Sequence, residues 1–497
     1  MRGPGSPGTR AEGPKGVGEP NPRRIVVVGA GMAGARVAEE LRAGQPDPDR
    51  LHVTVLGAEP EEPYNRIMLS HAVAAGRATR VARLKPSGWW ERHHVELRTA
   101  SPVAAIDRGA REVVLADGHR LAYDHLVLAT GAEPRIPPVE GIRGPNGELA
   151  PGAFLLREAA HQRDLTAHLE THPGPVAIVG GGFIGLEVAC ALAAAGHDVV
   201  VVHPRGWPMN GCLDAGAGAV LVRALGALGV RVVTGVRARR WDGAALTLDD
   251  DDEVRCRTVV LAAGSAPRTS LASDAGLEVR DGVVVSDELT TGDPRISAVG
   301  DCAEHRGAVS GLVAPAWDQA VVVAARLSGS DPSVLYTRGV TVTRLKAFGL
   351  DVVALGELAE DPYSAEVEVT VISEPARGRY ARVDVAGGRV VGAALVGHPE
   401  PVGILTQLCE NALPVPDDVV SVILGRAEAV SAATPATMPA AAVVCRCNGV
   451  SKGDLVAAWA GGVRERAALT EATRAGTGCG GCVSAVDGIC GWLREAG

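Results

Sequence analysis

Four cysteines near the C-terminal end of the sequence have the spacing of a metal site. They form a C-x-C pair and a C-x-x-C pair, the second within the run TGCGGC: Cys445, Cys447, Cys479 and Cys482. Four thiolates can hold a zinc ion or an iron–sulfur cluster, and the flanking glycines let backbone N–H groups approach the sulfides of a cluster. The spacing alone favours zinc, because zinc sites are common. Disulfide pairing is a poor interpretation, because the sequence has the character of a cytoplasmic protein.

A glycine-rich fingerprint of the form G-x-G-x-x-G lies near the other end of the chain. It follows an apolar run at 24–28 and precedes a helical pattern, and its key positions are Gly29, Gly31, Met32, Ala33 and Gly34. The glycines allow a tight turn and close approach of a pyrophosphate, which then faces the helix N-terminus. A second strand at 51–56 leads to Glu59, which we expect to accept hydrogen bonds from a ribose, with Glu61 and Glu62 as alternatives.

The same pattern recurs about 150 residues later. After a strand at 176–179, its key positions are Gly180, Gly182, Phe183, Ile184 and Gly185. Two copies predict two dinucleotide-binding domains. Other strand ends add Thr130 with Gly131, Gly264, and Asp301 in Val-Gly-Asp. Asp301 could hold a ribityl hydroxyl of a flavin or cap a following helix, and we favour the first.

These motifs indicate a path for electrons. Two dinucleotide sites upstream of a four-cysteine site indicate that electrons enter from a nicotinamide, pass through a flavin and leave through a metal centre. A zinc ion does no redox chemistry, whereas an iron–sulfur cluster completes such a path. The context therefore favours an iron–sulfur cluster over zinc.

Composition narrows the class of protein. The 497-residue chain is 46% hydrophobic, which is enough for several cores, and has a formal net charge of −9. The acidic balance argues against binding to nucleic acid or to an anionic membrane surface. No apolar run reaches the roughly 18 residues that a membrane-spanning helix needs. The N-terminus is rich in Gly and Pro and lacks an apolar signal segment, which predicts a disordered tail and a cytoplasmic protein.

The order of the motifs predicts an α/β fold with two Rossmann-like domains, a small α+β domain and a small helical module that carries the cysteines. Strands at 125–128 and 296–300 flank the second copy, so we expect the first domain to be discontinuous. A segment rich in Ala, Thr and Pro reads as a linker that lets the cysteine module swing. The predicted boundaries are a tail at 1–22, a first domain at 23–148 and 265–333, a second at 149–264, an α+β domain at 334–426, a linker at 427–442 and the module at 443–497. Within the module we predict helices at 452–459, 463–474 and 483–495, the first capped by Ser451.

In combination, these motifs resemble those of flavoprotein reductases with two dinucleotide-binding domains. The resemblance is closer to the N-terminal half of the assimilatory nitrite reductase large subunit and to the electron-transfer subunit of assimilatory nitrate reductase. It covers nearly everything after residue 22. It is carried by GAGMAG, GAEPEEPYNRIMLS, LATGAEP, GGGFIGLEVA, SAVGDCAE, GLVAPAWDQA, TRLKAFGLDV and CRCNGVSKGDL…TRAGTGCGGC.

The resemblance implies FAD in the first copy and NADH or NADPH in the second. The cysteine module is similar to the bacterioferritin-associated-ferredoxin type, which implies a [2Fe-2S] cluster on the four cysteines. Tyr64, Asn65, Arg66 and Ser70 are then expected near the flavin, with a helix start at 311–320 near its pyrimidine end. Lys346 would approach the isoalloxazine ring, and Glu187 would orient the nicotinamide. A solvated strand lysine and a helix-face acid are the alternatives for these two residues, so no catalytic residue is certain.

Two departures from related families are informative. The redox C-x-x-x-x-C of the disulfide reductases is missing, since no cysteine precedes Cys190. The nitrite reductase large subunit continues into a sirohaem domain, whereas this sequence ends after the first cluster module. We therefore expect electrons to pass to a separate nitrate or nitrite reductase. The alternatives are a stand-alone NAD(P)H oxidase or ferredoxin-type reductase, and a non-enzymatic redox-sensing or assembly protein whose cysteines bind zinc or a labile cluster.

The choice between NADH and NADPH depends on one loop. Aligning the two copies by their second strands sets Leu56 against Val202, and so Glu59 against Arg205. An acid here binds the 2′-hydroxyl of NADH, whereas an arginine accommodates the 2′-phosphate of NADPH. Arg205 could equally be a solvated loop residue, and His203 and Pro204 obscure the path of the loop. The hypothesis is that NADPH is accepted, either alone or alongside NADH.

Overall fold

The computed structural model describes residues 22–74, 76, 82–347, 349–416, 418–426, 435–445, 449–476 and 482–496. The tail predicted at 1–22 and the linker predicted at 427–442 therefore lie largely or partly outside the described residues. Two of the four predicted metal ligands, Cys447 and Cys479, also lie outside them.

A five-stranded parallel sheet forms the centre of the first dinucleotide-binding domain. Its central strands are runs of Val, Ile and Leu without polar alternation, because other elements cover both faces. Val28 lies opposite Leu56 on one side and opposite Leu128 on the other. Segments before and after the second fingerprint share this sheet. Its order is Ile296–Ala298, His125–Leu128, Arg23–Val28, Leu51–Leu56 and Val95–Arg98.

Helices and small sheets surround this central sheet. The fingerprint helix packs against the long helix that begins at Val313. The helices are Met32–Gly44, Leu69–Ala74, Trp89–Arg92, Ser270–Asp274 and Val313–Ser328, with 3₁₀ turns at Arg66–Met68 and Gly300–Cys302. One small sheet contains Val103–Asp107, Glu112–Leu115 and Arg120–Ala122, and another contains Val283–Val285, Ala303–His305 and Ala308–Val309.

The second domain repeats the plan of the first. Its parallel sheet has the order Val230–Thr234, Val199–His203, Val176–Val179, Thr258–Leu261 and Ala153–Leu155. Its helices are Ala159–Thr171, Phe183–Ala194 and Ala215–Ala227, and a side sheet contains Ala238–Trp241, Ala245–Leu248 and Glu253–Arg255. The two domains are joined by the antiparallel pair of Ala132–Pro134 and Ser265–Pro267.

The third domain is an antiparallel sheet covered by short helices. Its strand order is Val342–Ala347, Leu350–Gly356, Arg389–Val396, Arg379–Ala386 and Glu368–Glu374, with a 3₁₀ turn at Pro375–Arg377 and helices Val402–Glu410 and Val419–Ile423. A buried polar cluster ties this sheet to the second domain. Asp214 accepts hydrogen bonds from the Tyr380 hydroxyl at 2.6 Å and from Arg382 Nη1 at 3.1 Å.

The C-terminal module has its own apolar core. It contains the short strands Val443–Cys445 and Val450–Ser451 and the helices Lys452–Ala460, Arg466–Thr473 and Val483–Ala496. The predicted cap is confirmed, because Ser451 Oγ accepts the Asp454 backbone N–H at 3.2 Å. The second helix begins three residues later than predicted. Val463 N–H instead bonds Ala458 O at 3.2 Å and closes the end of the preceding helix, where Gly462 is left-handed.

The α/β fold class predicted from the motif order is confirmed by this architecture. Within the described ranges, none of the helices combines the length and the apolar character that crossing a membrane requires.

Candidate functional site

The first fingerprint forms a loop in which two glycines are packed against backbone. A Cβ on Gly29, whose φ is +115°, would lie 2.1 Å from Ala129 O, and a Cβ on Gly34 would lie 1.9 Å from Gly29 O. Gly31 is different, because its nearest neighbour would be Arg66 Nε at 3.7 Å. Two glycines are therefore required by the packing of the loop itself, and the third leaves open space above it.

That space fits a pyrophosphate. Gly31 caps the helix that begins with Met32 and Ala33, and it offers no side chain to the N–H groups of the first turn. These N–H groups and the helix dipole favour an anion. The helix Val313–Ser328 holds the start of this helix, because Trp317 Nε1 donates to Met32 O at 3.1 Å.

Glu59 lies in a polar network beside this loop. The Tyr64 hydroxyl donates to Glu59 Oε2 at 2.6 Å and accepts the Ala159 N–H at 2.8 Å, while Arg66 forms an ion pair with Glu59. Burial is the main cause that raises the pKa of Tyr64, so its phenol stays protonated. Of the three candidate acids, Glu59 is therefore the one that the structure brings to the fingerprint.

The alternative acids have other partners. Glu61 pairs with Arg163 at 2.6 Å and Glu62 with Arg83 at 3.5 Å. Neither ion pair includes Arg66, which lies at the fingerprint.

Asp301 lies in another turn beside this loop, because a Cβ on the preceding Gly300 would lie 3.0 Å from Ala33 Cβ. It occupies the 3₁₀ turn Gly300–Cys302, which leads into a strand. The expectation that a helix follows directly is wrong, and with it the alternative role as a helix cap. Arg157 Nη2 lies 2.5 Å from Asp301 Oδ2, and the Gly300 N–H donates to Gln319 Oε1 at 2.7 Å, which holds the turn in place. The carboxylate keeps a second oxygen for a hydroxyl of a bound ligand.

Thr130, Gly131 and Gly264 lie where the two domains are joined. Thr130 Oγ1 donates to Arg268 O at 2.8 Å, and Arg135 N–H donates to Gly264 O at 2.9 Å. Both glycines have a positive φ, +72° at Gly131 and +95° at Gly264, which turns the chain out of a buried strand.

The second fingerprint has the same backbone packing as the first. A Cβ on Gly180 would lie 2.2 Å from Ala262 O, and one on Gly185 would lie 2.0 Å from Gly180 O. Gly182 caps the helix that starts at Phe183, and a Cβ there would have none of the described atoms within 4 Å, so this glycine too leaves open space. Ile184 is 40% exposed at this helix start. The second loop therefore also fits a dinucleotide pyrophosphate.

The strand register settles which loop residues correspond. Val28 pairs with Leu56 and Val179 pairs with Val202, so Leu56 and Val202 are equivalent. Three positions further on, Glu59 O accepts Ala100 N–H and Arg205 O accepts Gly235 N–H, each at 2.9 Å. Arg205 thus occupies the position of Glu59, as the alignment of the two copies predicts.

His203 is a site residue that was not predicted from the sequence. It is buried, and its Nδ1 accepts the Gly181 N–H at 3.1 Å. The proton is therefore on Nε2, which donates to Asn210 Oδ1 at 3.1 Å. Burial is the first cause that lowers the pKa of His203, with Arg205 adding to it. His203 is the last residue of the buried strand Val199–His203, so its position at the strand end could have identified it as a site residue from the sequence.

Arg205 is exposed and has no ion pair among the residues that the structure describes. Glu187 lies at the contact of the two domains, where its Oε2 accepts the Ser70 hydroxyl at 2.8 Å. Lys346 belongs to the strand Val342–Ala347, and its side chain lies outside the described part of the chain.

Two of the predicted metal ligands lie in one apolar core. Cys445 is fully buried and Cys482 is 7% exposed, and both pack with Leu455 and Leu469. By contrast, burial raises the pKa of Cys190, Cys212 and Cys256 to about 11. These three thiols stay protonated, which agrees with the missing disulfide-exchange motif.

A parallel sheet with a glycine fingerprint occurs twice in this chain, and an antiparallel pair of strands joins the two copies. This arrangement defines a flavoprotein with two dinucleotide-binding domains. The chain belongs to the pyridine nucleotide-disulphide oxidoreductase family, whose model matches residues 23–321. Residues 342–412 match the rubredoxin NAD⁺ reductase C-terminal domain, and residues 443–490 match the BFD-like [2Fe-2S] binding domain.

Similarity to known proteins extends over most of the chain. Nitrite reductase [NAD(P)H] of Bacillus subtilis is 31% identical over 94% of this chain and 57% of its own length. The assimilatory nitrate reductase electron transfer subunit of Bacillus subtilis is 28% identical over 95% of this chain and 60% of its own length. The chain thus spans little more than half the length of these curated relatives. The solved structure of a covalent putidaredoxin reductase–putidaredoxin complex is 27% identical with a TM-score of 0.72, and it covers 82% of this chain and 100% of that one.

The comparisons confirm the cofactor set and the enzyme class. The protein is an FAD-dependent NAD(P)H oxidoreductase with a [2Fe-2S] domain, and the preference for a cluster over zinc is confirmed. The resemblance to nitrite and nitrate reductase components is also confirmed.

Proposed function

We propose that this protein takes electrons from NAD(P)H through FAD and a [2Fe-2S] cluster and delivers them in the cytoplasm to a separate assimilatory nitrate or nitrite reductase. The observation that carries the proposal is the presence of two dinucleotide domains and a cluster module in one chain. Relatives named as nitrite reductase and as a nitrate reductase electron transfer subunit match 94% and 95% of this chain.

When bound, FAD would accept an electron pair from the nicotinamide and the cluster would accept single electrons. The protein's own residues would bind and orient these cofactors. Gly31 leaves room for the FAD pyrophosphate at a helix start, Glu59 offers a carboxylate to the ribose, and Asp301 offers one to the ribityl chain. The Ser70–Glu187 hydrogen bond joins the two nucleotide-binding domains, and by the family resemblance Ser70 would lie near the flavin and Glu187 would orient the nicotinamide.

The four predicted cluster ligands are Cys445, Cys447, Cys479 and Cys482. The direct test is anaerobic purification with iron and flavin analysis, for which we expect about two irons per chain. Reduced protein is then mixed with a purified molybdenum nitrate reductase or sirohaem nitrite reductase, and nitrite or ammonium is measured. Protein that contains one zinc and no iron, or that fails to support either terminal enzyme, would contradict the proposal.

Cys479→Ser separates the two halves of the electron path. We expect it to abolish reduction of the terminal enzyme and to leave NAD(P)H-to-ferricyanide activity largely intact, because only the cluster is lost. Cys490→Ser is the matched control, since Cys490 is buried in the same module but lies outside the four-cysteine set. Equal loss of both activities in Cys479→Ser would contradict the assignment.

A second candidate is a reductase that serves a small ferredoxin. The match of residues 342–412 to the rubredoxin NAD⁺ reductase C-terminal domain and the similarity to putidaredoxin reductase favour it. Rates of NAD(P)H-dependent reduction, measured side by side with a [2Fe-2S] ferredoxin and with the terminal reductases, distinguish the two functions.

A further inference from the structure

Arg474 of the cluster module contacts the first dinucleotide-binding domain. Arg474 follows the helix Arg466–Thr473, and its guanidinium donates to the carbonyl oxygens of Arg83 and Leu84. It has a left-handed backbone with φ of 65°, which is unfavourable for a residue with a side chain. This conformation ends the helix, and the Arg474 backbone N–H bonds Thr470 O.

The surface that receives Arg474 belongs to the flavin site. Asn65 N–H bonds Ala82 O at 2.9 Å and Leu84 N–H bonds Pro63 O at 2.8 Å, so the two segments form a short ribbon. This ribbon carries Tyr64, which bonds Glu59 beside the first fingerprint. Arg474 thus contacts the backbone that holds the flavin-site side chains.

Charged residues of the helix Met32–Gly44 lie beside this contact. Glu39 pairs with Lys85, whose side chain is only 12% exposed, and with Arg36 at 3.2 Å. Burial lowers the pKa of Arg474, and the negative charge of Glu39 opposes this effect. A Cβ on Gly449 would lie 3.5 Å from Arg36 Nη1, so a second loop of the module reaches the same helix.

Both contacting segments of the module lie close to the cysteines in the sequence. Gly449 is four positions from Cys445, and Arg474 is eight positions from Cys482. Both cysteines lie in the module core.

We propose that Arg474 is a positioning residue that holds the cluster end of the module against the flavin-site ribbon, and that this docked arrangement is the one in which the cluster is reduced. The inference rests on the proposed electron path from FAD to the cluster. It specifies where the module would dock when it accepts electrons. The swing of the module on its linker stays a prediction.

Three variants test the role of Arg474. Arg474→Gly removes the guanidinium and suits the left-handed backbone, so the module should fold at least as well as in the wild type. Arg474→Lys keeps the charge but loses the planar fork that reaches two carbonyls, and an intermediate effect is expected. Arg494→Ala is the control, because Arg494 is exposed on another helix of the same module.

Two measurements on the full-length holoprotein are compared. Hydrogen–deuterium exchange of the segment 82–89 should become faster in Arg474→Gly and stay unchanged in Arg494→Ala. In stopped-flow experiments with NAD(P)H, flavin reduction should keep its rate while cluster reduction becomes about tenfold slower in Arg474→Gly, the effect of losing charged hydrogen bonds.

The outcomes separate this inference from the proposed function. Unchanged exchange in Arg474→Gly overturns the docking, and faster exchange with an unchanged rate of cluster reduction overturns the positioning role. If NAD(P)H never reduces the cluster in the wild type, the proposed electron path fails and the positioning role fails with it, while the exchange data still decide whether Arg474 docks the module.

Discussion

The two dinucleotide-binding domains have matching backbones and different side chains at the end of the second strand. A Cβ added at Gly29 would lie 2.1 Å from Ala129 O, and a Cβ added at Gly180 would lie 2.2 Å from the equivalent oxygen, Ala262 O. By contrast, Glu59 in the first domain corresponds to Arg205 in the second. The comparison teaches that the glycines are fixed by the packing of the loop, whereas the side chain three positions after the second strand differs between the two copies.

The largest effects should come from the glycines that touch backbone. A Cβ at Gly34 or Gly185 would lie within about 2 Å of a carbonyl oxygen of its own loop. We expect Gly34→Ala to destabilise the first domain by about 1–3 kcal/mol or more and to yield flavin-poor protein. Gly185→Ala should retain FAD and lose NAD(P)H binding.

The flavin-to-protein ratio, thermal unfolding and nucleotide titration of both variants check this prediction. If Gly185→Ala lost flavin as readily as Gly34→Ala, the two loops would not be independent binding sites.

Substitutions at the open glycines should abolish binding without unfolding the protein. Gly31 and Gly182 have room for a Cβ and ordinary extended backbone angles. Gly31→Val should therefore fold but fill the pyrophosphate space, which gives soluble protein without FAD. Gly182→Val should keep FAD and raise the Kd for NAD(P)H. Normal flavin content in Gly31→Val would refute the assignment of this loop.

Local elements of this fold follow closely from the sequence. The strands Leu51–Leu56 and Val176–Val179 have the predicted limits. Apolar runs bounded by glycine are strong signals because both the sheet interior and the tight turn restrict composition.

Contacts between distant segments could not be predicted in this way. Arg157 reaches Asp301 across 144 positions, and Arg474 reaches Leu84 across 390. No local pattern marks either arginine, since an exposed loop arginine has the same sequence appearance. The role of His203 is an intermediate case, because its place at the end of a strand is visible but its bond to Gly181 is not.

A smaller effect is expected from Arg205, which sharpens the comparison at the position of Glu59. The side chain is exposed and occupies the position that Glu59 has in the first domain, where an arginine accommodates the 2′-phosphate of NADPH. Arg205→Ala should lower kcat/KM for NADPH roughly tenfold relative to NADH, the value of one charge-assisted contact. Arg255→Ala, an exposed arginine on the side sheet, is the control. An unchanged NADPH/NADH ratio would remove Arg205 from nucleotide selection.

The smallest expected effect is a pH dependence at the second fingerprint, because Gly57 stands in the first domain where His203 stands in the second. Burial lowers the pKa of His203 below its value in the unfolded chain, about 6.5. The stabilisation is therefore complete above about pH 6.5 and is lost as the pH falls through the lowered pKa, since protonated Nδ1 cannot accept the Gly181 N–H. NAD(P)H affinity should weaken in acid while flavin retention does not. His203→Asn keeps an acceptor near Nδ1 without a titrating group, so titrations of NAD(P)H from pH 8 to 5 should be flatter in this variant. An equally steep pH profile in His203→Asn would show that another group is responsible.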